Sequence, residues 1–172
     1  GIDRDLDALE YAKEQLKEFE NVMYIQGNHD NLKDLLQKTN IQEVDGILLD
    51  LGVSSYQIDE EARGFSYMKD NILDMRMDQT ESLTAKEVVN TYSEEKLADI
   101  IFQYGEERFS RRVAKQIIEA RKQKEIETTF ELVDIIKKAI PNQNAKKTGH
   151  PAKRTFQAIR IEVNNEIEPL YN

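Results

Sequence analysis

The residues of this 172-residue chain best suited to chemistry are carboxylates that close short apolar runs. Asp50 ends Ile47-Leu48-Leu49 and opens into Leu51-Gly52-Val53-Ser54-Ser55-Tyr56-Gln57, a loop with two serine hydroxyls and an amide. In open α/β sheets ligands bind beyond the carboxyl ends of the strands, so an acid delivered there would stand at the mouth of the crevice. Asp and Gly also build plain strand-end turns, and the same residues serve that purpose equally well. Asp3, in GIDRD, follows the strand-like Gly1-Ile2 and precedes a helix. Nucleotide-binding folds hold ribose hydroxyls with an acid at that point, and a carboxylate can accept from both hydroxyls. Helix capping by one of these acids is the competing use, with Asp5 and Asp7 better placed for it than Asp3. His29, in Gly27-Asn28-His29-Asp30, offers a ring that could stack on a purine. As a general base it lacks a visible partner, and a loop or helix-start role competes. Asp50, Asp74 and Asp78 are too scattered for a metal site. Neither Ser54 nor Ser55 lies in G-x-S-x-G, which argues against a serine nucleophile.

The elements that must position these groups alternate at first. Leu6, Leu9, Ala12, Leu16 and Phe19 share one face of a helix over 5–19, and Val22 to Ile25 reads as a strand. A weaker helix around Leu32, Leu35 and Leu36 precedes the strand at Ile47 to Leu49. Strands alternating with helices predict an α/β fold with a parallel sheet. Beyond Asp50 an irregular segment gives way to helices. Ser82 or Thr84 caps the first, and Ser93 caps a second bearing Leu97, Ile100, Ile101 and Tyr104. Phe109, Val113, Ile117 and Ala120 mark a third, with Arg111, Arg112, Lys115 and Arg121 opposite. A fourth starts at Thr128 or Thr129 and stops before Pro141. Asn142 to Gly149 reads as a flexible basic loop, and a last helix carries Ala152, Phe156, Ile159, Val163 and Ile167 until Pro169 ends it.

The net charge of -9 hides a division. Residues 1–100 carry 10 Lys and Arg against 23 Asp and Glu, whereas residues 108–160 carry 14 against 5. An acidic catalytic part beside a basic surface suited to a phosphate backbone explains this, and so does a solvated Lys- and Arg-rich helix face. With no cysteine and no apolar run near a membrane span's length, neither disulfides nor a membrane is expected, and the cytoplasm is the default compartment.

Six blocks occur in one order along the chain: GIDRD at 1–5, DGILLDLGVSS at 45–55, RGFSY at 63–67, LDMRMD at 73–78, YGEERFSRRVAKQI at 104–117 and HPAKRTFQAIRIEVNNE at 150–166. On these the chain resembles the bacterial 16S ribosomal RNA cytosine-N4 methyltransferases of the RsmH (MraW) type. The resemblance implies a partial class I, Rossmann-like methyltransferase core at 1–67 and 150–172, interrupted by an inserted all-helical RNA-recognition domain at 68–149. It implies S-adenosyl-L-methionine as cofactor, held by Asp3 at the ribose, His29 beside the adenine, Asp50 and Gln57. Relatives more often carry an aromatic such as Phe at the His29 position and Pro at that of Tyr56. The implied chemistry is in-line methyl transfer to the exocyclic amine of a cytosine, with Asp50 or the Leu51 to Ser54 backbone as the acceptor beside that amine. The implied partner is 16S ribosomal RNA in the small ribosomal subunit, met by Arg108, Arg111, Arg112, Lys115, Lys153 and Arg154.

Measured against that family, the chain reads as a fragment without the N-terminal Gly-rich cofactor loop and the C-terminal strands, inactive alone. Exposed sheet edges would favour pairing of two chains as a homodimer. Two rival readings compete with this one: a non-catalytic helical RNA-binding piece, and a nicotinamide-dependent oxidoreductase, which also places an acid on a ribose.

Overall fold

The computed structural model describes residues 1–141 and 149–171. The expected basic loop at 142–149 therefore lies, save for Gly149, outside the described residues. The chain divides into two units: Gly1–Val53 with Met77–Thr80 and Glu166–Asn172, and Ser54–Arg76 with Glu81–Asn165.

The first unit holds a parallel strand pair, β1 (Ile2–Asp3) and β2 (Ile25–Gln26), in register Ile2 to Ile25 and Asp3 to Gln26. Ile25 N–H donates to the Gly1 carbonyl and Gly27 N–H to that of Asp3, both at 3.0 Å. Between the strands runs α1 (Leu6–Gln15), capped by Asp5, whose carboxylate accepts from the Asp7 N–H. Helix α2 (Leu32–Lys38) follows a single 3-10 turn at His29–Asn31. Leu35 of α2 lies where a side chain on Gly27 would stand, so glycine there lets helix and strand end approach.

The structure corrects two strand expectations. Val22 to Ile25 contributes its last residue only, β2 being Ile25–Gln26. Ile47 to Leu49 forms no strand, and Leu48 is 93% exposed. A strand needs a neighbour to satisfy its backbone, and no strand among the described residues pairs with this run. The unit buries Leu9, Leu35 and Met77, while Leu6, Leu16 and Phe19 of the predicted helix face stay open to solvent.

The second unit is helical. Ser54 and Gln57 cap α3 (Ser55–Asp59), and α4 (Ala85–Thr91), α5 (Glu94–Gln103), α6 (Ser110–Arg121), α7 (Thr129–Ala139) and α8 (Lys153–Asn164) follow. Thr84 and Thr128 start α4 and α7 with reciprocal boxes using Glu87 and Glu131, and Ser93 caps α5. Each pairs N–H groups that a helix start cannot satisfy itself. α5 packs on α6 and α8, α6 on α7, and α4 on α8. Their facing stripes, including Val88, Leu97, Ile101, Val113, Ile117, Leu132, Ile136 and Ile159, are fully buried. Thus α8, which the resemblance assigned to the segment 150–172 of the core, has its apolar face among these helices. It ends at Asn165, held at φ 45°, well before Pro169, because a left-handed residue stops the helix first.

Leu73 to Arg76, the first part of the LDMRMD segment, form a largely buried polar knot in this unit. Asp74 accepts from Arg76 Nε at 2.9 Å and from Nη2 at 2.7 Å. Met75 between them is left-handed (φ 62°) with its side chain fully buried, and its carbonyl accepts from Asn164 Nδ2 of α8 at 2.7 Å. Arg63, also buried, donates from Nη2 to the Arg76 carbonyl at 3.0 Å. Gly64 adopts φ 68°, and a Cβ there would run into the Ile72 carbonyl. Gly64→Ala should therefore cost at least about 2 kcal/mol, a left-handed penalty plus the clash. A thermal melt of the intact protein checks this; an unchanged melting temperature would remove Gly64 from the set of required turns.

Candidate functional site

At the carboxyl end of the strand pair, register brings two of the sequence-nominated groups to one edge. Asp3 closes β1, and its carbonyl is the acceptor for Gly27 N–H, from which Asn28 and His29 lead off β2. The Asp3 side chain is exposed, and its Oδ1 accepts the Asp5 N–H at 2.8 Å. A helix cap and an exposed carboxylate thus sit two residues apart, Asp5 buried at the helix start and Asp3 at the strand tip. Asn28 Oδ1 and His29 Nε2 are both buried without a hydrogen-bond partner among the described residues. Buried polar atoms are nearly always satisfied, so the two unanswered atoms just past β2, at the strand end that Asp3 tips, mark this edge as a candidate for a polar ligand. The sequence singles out His29 for its ring but gives Asn28 no role of its own; burial is what marks it.

Asp50 is placed differently from the expectation. It lies in exposed, irregular chain, and among the described residues no hydrogen bond ties residues 42–53 to either strand. Gln57 belongs to the helical unit and is 4% exposed; its Oε1 accepts the Ser54 N–H at 3.0 Å while its own N–H donates to Ser54 Oγ. The amide oxygen therefore fixes the start of α3, a role its spacing from Ser54 announces.

In the helical unit the second constellation is cationic. Arg108, Arg111, Arg112, Lys115 and Lys153 are exposed. Arg111 and Lys115 stand four residues apart on α6 and so share a helix side, Arg108 precedes the helix in the turn that leads into it, and the Arg112 guanidinium lies 5.5 Å from the centre of the Phe109 ring. Arg121, grouped with them by sequence, serves otherwise: its Nη1 donates to the carbonyls of Val89 and Tyr92, at 2.9 and 2.7 Å, closing the end of α4.

A cleft of about 790 Å³ opens in this unit between the end of α5 (Phe102, Gln103), the loop Glu106 to Phe109, Ile140, and the start of α8 (His150, Pro151, Arg154). Apart from Phe102, Gln103 and Ile140, its walls come from two of the sequence blocks, 104–117 and 150–166. Their junction is tight: Arg154 Nη1 donates to the Glu106 carbonyl at 2.7 Å, Gln157 Nε2 to that of Tyr104 at 3.0 Å, and a Cβ on Gly105 would collide with the Arg154 carbonyl. Glu107, 6% exposed, accepts the Phe109 N–H at 2.9 Å and so shapes the turn into α6. Phe102 is 62% exposed at the cleft. The size is that of a small-molecule pocket, and the lining sets Arg108 and Arg154 beside Glu106 and Glu107, with Phe102 and Phe109 as its aromatic groups.

Among the described residues no helix is long and apolar enough to cross a membrane. Nor does any group of three His, Asp or Glu side chains among them gather at a metal-binding distance.

A parallel strand pair tipped by an acid, with a separate helical unit that carries a cleft and an exposed set of cations, defines an α/β protein with a helical companion. The particular family follows from comparison with known proteins: the chain belongs to the MraW methylase family, whose model matches residues 1–172. It is similar to the ribosomal RNA small subunit methyltransferase H of Clostridium botulinum (strain Kyoto / Type A2), 58% identical over 170 residues, which are 99% of this chain and 55% of the relative. The proteins of the same name from Lachnospira eligens and Finegoldia magna are 56% and 54% identical, over 100% and 98% of this chain and 55% of each relative. The chain thus spans about half the length of the curated relatives it matches.

One titration bears on the cleft. Burial, then the charge of Lys137, holds the His150 imidazole below its ordinary value of 6.5. A group depressed in the folded state resists protonation there, so its contribution is complete above pH 6.5 and declines as pH falls through the lowered value. The melting temperature should therefore fall between pH 7 and pH 5 more steeply for the native protein than for His150→Phe. Parallel pH profiles of the two would contradict the assignment.

Proposed function

We propose that the chain is part of an S-adenosylmethionine-dependent methyltransferase that modifies the N4 amine of a cytosine in 16S ribosomal RNA. The observation that carries this reading is the match of the whole chain to the methylase family, at 54 to 58% identity to proteins named as ribosomal RNA small subunit methyltransferases. In this reading the first unit is part of a class I, Rossmann-like core. The segment 68–149, with the helices that pack on it, is an inserted domain that engages RNA. S-adenosylmethionine supplies an electrophilic methyl group when bound.

The chain's own residues then divide the work. Asp3 accepts hydrogen bonds from the ribose, and Asn28 and His29 meet the nucleoside with the polar atoms they leave unanswered. Asp50 accepts from the cytosine amine, draws electron density toward its nitrogen and orients it, so that positioning carries most of the rate. Gln57 sets the loop that follows Asp50 through its cap on Ser54. Arg108, Arg111, Arg112, Lys115, Lys153 and Arg154 neutralise the RNA backbone, with an unstacked nucleotide at the α5–α8 cleft. The small ribosomal subunit as the assembled target, the cytoplasm as compartment and a homodimer as functional form complete the proposal.

Asp3→Asn keeps the acceptor for the Asp5 N–H but gives up one carboxylate oxygen. Calorimetry on the intact protein should show at least a tenfold loss of adenosylmethionine affinity, about 1.4 kcal/mol, with the melting temperature unchanged. Equal affinity would free Asp3 from the cofactor. Asp50→Ala should abolish methylation and spare cofactor affinity; loss of cofactor binding alone would make it a ligand residue instead. Neutralising Arg108, Arg111, Arg112 and Lys115 together should weaken RNA binding and flatten its dependence on salt, by about 0.7 in the log-log slope for each single-strand phosphate no longer neutralised. RNA affinity and slope that stayed at native values would refute the interface.

A further inference from the structure

We propose that His150 is a positioning residue for RNA binding: it holds the cationic start of α8, Lys153 and Arg154, against the Glu106 to Phe109 loop. This rests on the reading of the helical unit as the RNA-engaging part, and adds to it a residue that reading does not use.

Helix α8 begins with no side-chain cap on Ala152, and its first N–H groups need outside acceptors. His150 supplies them from just ahead of the helix. Its Nδ1 accepts the Ala152 N–H at 3.2 Å, and its carbonyl accepts the Lys153 N–H at 3.0 Å. The face of its ring lies on Tyr67, with centroids 4.6 Å apart and planes 13° from parallel. Tyr67 in turn meets Phe156 of α8 edge-on, at 5.7 Å and 84°. Phe156 is 3% exposed, so Tyr67 is a fixed platform that touches both the lead-in to the helix and its first turns.

On its other side the same start of α8 is tied by Arg154 Nη1 to the Glu106 carbonyl and by Gln157 Nε2 to that of Tyr104. Two grips therefore set where Arg154 stands at the cleft and where Lys153 stands beside it in the chain. A guanidinium has five N–H donors, so the anchor on Glu106 leaves Arg154 with others for a phosphate. Without the stack, one grip is gone and the two cations lose their fixed spacing from Arg108. The depressed titration of the imidazole fits this geometry, since the neutral ring can accept through Nδ1 as it does here.

The test uses the intact protein and unmodified 16S ribosomal RNA, with binding measured across a range of salt. For His150→Ala the expected result is a Kd raised about tenfold and a log-log salt slope shallower by about 0.7 to 1.4, equivalent to one or two single-strand phosphates. In turnover the loss should fall on KM for RNA rather than on kcat. His150→Phe keeps the stack and should recover most of the affinity and slope. A residue that only stabilised the fold would lower the melting temperature and leave the slope alone, and that result overturns the proposal, as does a Phe variant no better than Ala. If His150→Ala fails to fold, His150→Asn takes its place, keeping an acceptor for Ala152 without the stack, and the same slope change is required. The variant neutralised at Arg111, Arg112 and Lys115 serves as the comparison. If it loses RNA while His150→Ala does not, His150 has no positioning role and the RNA reading stands; if neither loses RNA, the RNA reading fails and takes this proposal with it.

Discussion

Two backbone hydrogen bonds set the first candidate site: Ile25 N–H to Gly1 and Gly27 N–H to Asp3. They fix the parallel register, and the register decides that an acid on one strand and the Asn28-His29 pair beyond the other emerge at the same end. A one-residue slip would send the Asp3 side chain to the opposite face of the sheet, because side chains alternate along a strand. Gly27 is the residue that makes room for the arrangement, since Leu35 occupies the volume any side chain would need. The rest of the cofactor reading depends on this edge.

The helical unit obeys a different constraint, the close approach of α5 and α8. Gly105 against the Arg154 carbonyl, with Arg154 and Gln157 returning hydrogen bonds to 104–106, brings together two blocks far apart in the chain. The cleft is what remains open beside that junction. Arg111, Arg112, Lys115 and Lys153 are exposed on helices whose buried stripes are already committed to the core, so a partner could meet them without disturbing the packing. Electrostatic interactions of that kind carry affinity and little sequence information; selection of one cytosine would rest on the shape of the cleft and on the methyl-transfer site.

Local signals were legible in the sequence, and signals that depend on distant partners were not. Ser93 announced its helix, and the pairs Ser82 or Thr84 and Thr128 or Thr129 each held the cap the structure uses, Thr84 and Thr128, because a cap is decided within a single turn of chain. The same kind of reasoning narrowed the cap of α1 to Asp5 or Asp7, of which the structure uses Asp5, and gave the stripe of Leu97, Ile100 and Ile101. The run Ile47 to Leu49 has the composition of a strand, yet pairing is a property of two segments, and no described segment offers it an edge. Arg121 looked like one more surface cation until its bonds to Val89 and Tyr92 showed it closing another helix. Asn165 ended α8 ahead of Pro169 through a backbone conformation that its residue type permits but does not dictate. At the candidate site Asp3 and His29 were readable as strand-end residues; the buried, unanswered atom of Asn28 and the stack of His150 on Tyr67 belong to three dimensions alone.

The central claim is that the edge formed by Asp3, Asn28 and His29 receives the nucleoside of the methyl donor. Its most direct test is photochemical: the intact protein is irradiated with adenosylmethionine labelled in the adenine ring, and the labelled peptide is sequenced. The account predicts label within residues 24–31, suppressed by unlabelled cofactor. Label confined to the helical segment 85–139, with none at the strand edge, would contradict it.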